Sequence, residues 1–322
     1  MDLPIADLHC DLLSYLESFP SHRTADDPES QCSIPLLKQG GVIFQVLAIY
    51  TETGNQSVQK CENQVSLAQK LLQSRSTKIF PLQRHAQLLK PLTVAIAIEN
   101  GSGILEEGEK FELCFKRVEQ IQEKLPLLYI SFTWNSENRF GGGNESQVGL
   151  KREGEILLDF LDKRGIAIDL SHTSDRLAHD IFNYIDKKKL QIQPIASHSN
   201  FRKITNNPRN LPDEIARELI RRKGVIGINF LRSLIGDEPA DFITHIQHGI
   251  DLGGKDALCF GADFFGEIDT PSEYVKLLPF YFPGFNNSSC YPRLLDMLQS
   301  KFSKDFLESL AHKNLARFLS FI

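Results

Sequence analysis

No two of the six cysteines (Cys10, Cys32, Cys61, Cys114, Cys259 and Cys290) stand in CxxC spacing. A Cys-type zinc site and a disulfide framework are therefore not expected, and the pattern suits buried thiols in a reducing cytoplasm. Basic runs are also missing beyond Lys187-Lys188-Lys189, and 41 acids against 36 bases leave a net charge of −5. Nucleic acid is therefore not an expected partner. No stretch reaches the ~18 apolar residues of a membrane span. The opening Met1-Asp2-Leu3-Pro4 lacks the basic region and apolar core of a secretory leader. The apolar residues 315–322 are short and read as a docked helix rather than an anchor, so no membrane contact is expected. Neither repeat nor linker interrupts the 322 residues, and 41% hydrophobic with 24% charged residues fits a chain with a sizeable core. One domain spanning residues 1–322 is expected.

What the sequence does contain is organised around residues 165–209. Two short apolar runs there each stop on a histidine: Ile166-Ala167-Ile168-Asp169-Leu170-Ser171-His172 and Pro194-Ile195-Ala196-Ser197-His198. Runs of this kind read as buried parallel strands. Between them, Leu177, Ala178, Ile181, Phe182 and Ile185 recur at helical spacing. The unit is strand, helix, strand, with a histidine at each carboxyl end, where ligands sit in α/β sheets.

The same pattern recurs along the chain. Residues 3–8 lead into His9-Cys10-Asp11, whose first and third side chains can grip one cation. Strand-like runs follow at 42–50, 94–98, 127–133, 224–230 and 258–262, the second of these ending on Glu99 and the last leading into Asp263. Helical spacing appears at 58–72, 111–122, 174–189, 214–222 and 241–252, and the tail from 292 reads as two helices separated by Ser303. Residues 20–33 read as a surface loop. Gly141-Gly142-Gly143, behind Trp134 and Asn135, implies a mobile or tightly turned loop on the substrate side. Eight strands alternating with helices argue an α/β fold, a (β/α)8 TIM-type barrel with extra C-terminal helices.

Six side chains then share one barrel mouth: His9, Asp11, Glu99, His172, His198 and Asp263. Three imidazoles with three carboxylates suit a divalent metal, zinc first, and exceed what one tetrahedral ion needs. A two-metal site bridged by a carboxylate uses them better, and such a site belongs to a hydrolase. The other histidines, His22, His85, His179, His245, His248 and His312, read as structural or surface residues. Asn229 either lines the pocket or satisfies buried backbone groups.

These residues resemble a known family. His9-Cys10-Asp11, Glu99, Asp169-Leu170-Ser171-His172, Ser197-His198-Ser199, Asn207-Pro208-Arg209-Asn210-Leu211-Pro212-Asp213 and Gly261-Ala262-Asp263-Phe264 are similar to the motifs of the zinc dipeptidases of the membrane (renal) dipeptidase family, peptidase family M19, in its bacterial, cytoplasmic form. The likeness implies a barrel of the metal-dependent hydrolase kind. It implies two Zn2+ ions per chain, one held by His9, Asp11 and Glu99 and the other by Glu99, His172 and His198. It implies hydrolysis of a dipeptide, L,L or L,D, by a metal-bridging hydroxide that Asp263 orients and whose proton it shuttles to the leaving amine. Arg209 would bind the substrate carboxylate or the oxyanion. A homodimer is common in the family.

Three positions depart from its pattern: Trp134 stands where animal members have a substrate-contacting histidine, Phe265 replaces an acid, and a Gly-Asn motif becomes His312-Lys313-Asn314. Two alternatives remain open at this stage. One is another metal-dependent barrel enzyme acting on a cyclic amide, an ester or a base that it deaminates, although such enzymes commonly begin His-x-His where this chain has Asp11. The other is a binding protein on a degenerate scaffold, against which the intact ligand set weighs.

Overall fold

A computed structural model describes residues 2–74, 77–83, 92–270, 272 and 274–321 of the chain. His85 lies outside the described residues. Eight parallel strands form the barrel: β1 (Ile5–Cys10), β2 (Val42–Tyr50), β3 (Thr93–Glu99), β4 (Leu127–Ser131), β5 (Ala167–Asp169), β6 (Pro194–Ile195), β7 (Ile226–Ile228) and β8 (Leu258–Phe260). Their order is β6-β5-β4-β3-β2-β1-β8-β7. The remaining gap between β6 and β7 is bridged at Ala196 and Ile226, where Ala196 N donates to Val225 O and Gly227 N to Ala196 O at 2.9 and 2.8 Å.

Alternation along the strands decides what faces inward. Ala95 and Ala97 of β3 pair with Val46 and Ala48 of β2, and Glu99 pairs with Tyr50. Small side chains below a long polar one leave space at the mouth while the interior stays packed. Phe44, Val46, Ala95, Ala97, Tyr129 and Ile195 belong to one buried cluster, which Leu315 and Phe318 of the final helix (Asn314–Leu319) close from below. Fully burying such a large apolar side chain stabilises the fold by roughly 1.5–3 kcal/mol. The second, larger cluster lies between the barrel and its helices.

The expected helices are present as Ser57–Gln73, Glu112–Lys124, Asp175–Lys188, Asp213–Arg221 and Asp241–Asp251. Ser174 caps the third of these by accepting from Leu177 N at 2.9 Å. The tail divides at Ser303, whose hydroxyl accepts from Phe306 N. Its second half passes through a π-helical turn at Ser309–Lys313. The helices Leu12–Ser18, Ile34–Gln39, Arg152–Leu161 and Arg232–Ile235 are additional, as is a two-residue strand, Phe80–Pro81, beside the start of β3. The glycine loop is tight: a Cβ on Gly143 would stand 2.1 Å from Trp134 O, which fixes the turn that carries Trp134 and Asn135. Among the described residues, no helix is long and apolar enough to cross a membrane.

Candidate metal centre

The first strand does not run straight into the mouth. Its register against β2 shifts between Asp7 and Cys10, and His9 N turns back to Asp7 Oδ1 at 2.9 Å. Such bulges re-aim a side chain, here the imidazole of His9. Asp11 follows just beyond the strand. His172 and Asp263 sit at φ +66° and +63°, a region that non-glycine residues seldom occupy. That conformation directs both side chains toward the axis as β5 and β8 end.

The geometry centres on Glu99. Its Oε1 lies 3.0 Å from His172 Nε2 and 3.4 Å from His198 Nε2, and its Oε2 lies 3.4 Å from His9 Nε2. Around His9 Nε2, Asp11 Oδ2 and Asp263 Oδ1 both stand at 3.7 Å. Three trios offer ligand atoms within 4.8 Å of one another: His9, Asp11 and Glu99; Glu99, His172 and His198; and His9, His198 and Asp263. All six expected side chains thus converge.

Each imidazole is oriented by a partner on its far nitrogen. Tyr129 donates its hydroxyl proton to Leu8 O at 2.9 Å, so at 2.7 Å it accepts from His9 Nδ1–H. His198 Nδ1 meets Ser197 Oγ at 2.7 Å, and that hydroxyl donates to Asp169 Oδ2 at 2.7 Å. His172 Nδ1 meets the Asn135 carbonyl oxygen Oδ1 at 2.9 Å. Nε2 is therefore the nitrogen that each ring turns to the centre, the arrangement that metal-ligating histidines adopt. His172 Nε2 and His198 Nε2 lie only 3.0 Å apart, and lone pairs at that distance repel unless a cation lies between them. Among the described residues, His9 Nε2 and Asp11 Oδ1 are buried without a hydrogen-bond partner, which is costly without a positive charge nearby. The donor set of imidazole nitrogen and carboxylate oxygen fits zinc.

The electrostatics point the same way. Burial works against a charge on His9, but Glu99, Asp11 and Asp263 overcome it and push its pKa up to about 10. The field that draws a proton to Nε2 draws any cation there. Burial, helped by the Arg209 guanidinium, holds His172 down at about 3. His198 is lowered by burial, by His9 and by Arg209. Both are neutral, as ligands must be.

Arg209 lies at the edge of the centre. Its Nη1 donates to Ser199 Oγ at 3.0 Å and its Nη2 to His198 O at 3.2 Å. It lines a cavity of about 600 Å³ together with Asp11, Glu99, His172 and Asp263. Of the two roles open to Asn229, the structure shows the buried one: its Oδ1 accepts from Leu231 N at 2.7 Å, and its Nδ2 donates to Asp263 Oδ2 at 2.8 Å. The orienting roles of Tyr129, Ser197 and Asn135 were not anticipated. Ser197 and Asn135 adjoin motif residues, whereas nothing in its local sequence marks Tyr129. His245 is structural: its Nδ1 accepts from Phe201 N at 3.2 Å and its Nε2 meets Ile235 O at 2.9 Å. His22 and His179 are exposed, and His248 and His312 half-buried.

Comparison with known proteins agrees with this architecture. A dipeptidase, verJ, of Clonostachys rogersoniana is 28% identical over 202 residues, which is 60% of this chain and 48% of that relative. The chain thus spans about half the length of that curated relative. Among solved structures, the metallopeptidase dipeptidase AC is similar at TM-score 0.86 and 18% identity, over 99% of this chain and 98% of that one. A metallopeptidase from Rhodobacter sphaeroides, solved with a phosphinate mimic of the dipeptide L-Ala-D-Ala, is similar at TM-score 0.83 and 19% identity, over 99% of each chain. At those identities the structural likeness establishes the (β/α)8 fold. The family described as Membrane dipeptidase (Peptidase family M19) matches residues 1–322, and the chain belongs to it.

Proposed function

We propose that the protein is a binuclear zinc dipeptidase that hydrolyses the single amide bond of an L,L or L,D dipeptide. The observation that carries this reading is the position of Glu99, with one oxygen facing His172 and His198 and the other facing His9. His9, Asp11 and Glu99 would hold one ion, and Glu99, His172 and His198 the other. Zinc bound there supplies a Lewis acid for the scissile carbonyl and a water acidified towards neutral pH.

The chain's own groups do the rest. Asn229 Nδ2 holds one oxygen of Asp263 at 2.8 Å, leaving Oδ1, 3.7 Å from His9 Nε2, turned to the centre. From there Asp263 takes a proton from the attacking water and passes it to the leaving amine. Ser199 and the His198 carbonyl steady Arg209 from one side, so its remaining N–H groups can pair with the substrate carboxylate or with the oxygen that gains charge. The six cysteines, all free and buried, support a reducing cytoplasmic setting.

The test is release of free amino acid from a panel of L,L and L,D dipeptides by chelated protein and again after zinc is restored. Zinc-restored cleavage, with N-acetylated dipeptides and tripeptides left intact, is expected. Two bound zinc ions without cleavage of any dipeptide would direct the reading to another amide or an ester.

A further inference from the structure

Tyr50 is the last residue of β2 and pairs in register with Glu99. Paired residues on neighbouring strands project to the same face, so the phenol enters the mouth beside the central carboxylate. Its backbone is clamped by Gln64, a buried side chain of the helix Ser57–Gln73: Oε1 accepts from Tyr50 N at 3.0 Å and Nε2 donates to Tyr50 O at 2.6 Å. Its ring stands edge-on to Trp134, with centroids 5.1 Å apart and planes at 70°, and Trp134 in turn lies 6.0 Å from the His172 ring. Backbone and ring are both fixed.

The hydroxyl is the exception. Three buried tyrosines, Tyr129, Tyr281 and Tyr291, have hydroxyls engaged by Leu8 O and His9, by Asp263 O, and by Asp7 respectively. The Tyr50 hydroxyl has no protein partner among the described residues, and Tyr50 lines the cavity that also holds Asp11, Glu99, His172, Arg209 and Asp263. A phenol is a hydrogen-bond donor at neutral pH.

We infer that Tyr50 is a catalytic residue whose hydroxyl donates a hydrogen bond to the oxygen of the scissile carbonyl as negative charge develops there. The inference rests on the dipeptide-hydrolysis reading above. A fixed donor aimed at developing charge contributes about 10²–10³ in kcat. A donor of this kind acts mainly on the transition state and little on the bound substrate.

The experiment compares zinc-loaded wild type with Tyr50→Phe, which keeps the ring against Trp134. For Tyr50→Phe, kcat should fall about 100-fold with KM changed less than about threefold and zinc content unaltered. In calorimetry, a dipeptide phosphinate, which imitates the tetrahedral state, should bind about 100-fold more weakly to the variant. The uncleaved parent dipeptide, offered to zinc-free protein, should bind both alike. An unchanged kcat would make Tyr50 a packing residue, and a rise confined to KM would make it a ground-state contact; either overturns the proposal. So would a loss of kcat in Trp134→Phe that Tyr50→Phe does not share. A wild type that cleaves no dipeptide overturns the dipeptidase reading and this role with it, whereas an active wild type beside an equally active Tyr50→Phe removes only the role.

Discussion

Two sets of buried carboxylates at the strand ends behave differently. Asp7 accepts from His9 N, Gln45 Nε2, Ala262 N and the Tyr291 hydroxyl, at 2.9, 2.9, 2.9 and 2.6 Å. Asp169 accepts from the Ser131 hydroxyl, Ser171 N, Ser197 N and the Ser197 hydroxyl, at 2.7, 3.1, 2.7 and 2.7 Å. One layer higher, among the described residues, Asp11 Oδ1 has no hydrogen-bond partner, Glu99 lies against the imidazole nitrogens of His9, His172 and His198, and Asp263 accepts a side-chain bond from Asn229. The lower acids are part of the scaffold, because the protein satisfies them. The upper acids are left open, and an open buried carboxylate is tolerable when a cation completes it.

Substitutions in the upper layer should remove metal or turnover, and substitutions in the lower layer should remove stability. Glu99→Gln is expected to have the largest effect: a kcat loss of about 10⁴-fold, reflecting the several kcal/mol that metal ions contribute. Zinc measured by mass spectrometry after dialysis should fall below two per chain. Retention of both ions would place Glu99 outside the centre. Asp263→Asn should keep both ions and still lose about 10³-fold in kcat, the range of a positioned proton carrier; unchanged turnover would remove it from the proton path.

Asp169→Ala strands four donors in the interior. It should lower unfolding stability by about 4 kcal/mol, read from urea titration. Zinc affinity should weaken about tenfold, because Ser197 loses the acceptor that orients it towards His198. An unaltered stability would erase the distinction between the layers. The smallest expected effect concerns His245, a satisfied buried group away from the mouth. Burial depresses its pKa from 6.5 to about 4, so the stability it contributes is whole above pH 6.5 and lost as pH falls to about 4. The difference is about 3 kcal/mol, and the wild-type-minus-His245→Asn stability profile should decline across that window. A flat profile would mean the imidazole is protonated in the fold.

Much of the site was legible because polar residues terminate apolar runs. Glu99 after Val94-Ala95-Ile96-Ala97-Ile98, and the histidines after two Ile-rich runs, stand out against strands that are otherwise buried. Topology then gathers strand ends without further information. Asp7 and Asp11 each stand two residues from His9, so the spacing that marks Asp11 as its metal partner applies equally to Asp7. Only the register shift at His9 separates them. Tyr129, Ser197 and Asn135 were illegible as orienting residues for a related reason. Each acts across the barrel or along a loop on a nitrogen whose direction depends on three-dimensional packing. The additional helices Leu12–Ser18, Ile34–Gln39 and Arg232–Ile235 are too short for periodicity to declare them.

The most direct test of the claim that the upper layer is a two-ion site is anomalous diffraction at the zinc edge from crystals of the zinc-loaded protein. Two peaks are predicted on either side of the Glu99 carboxylate, one against His9 and Asp11 and one against His172 and His198. A single peak, or density away from Glu99, would contradict it.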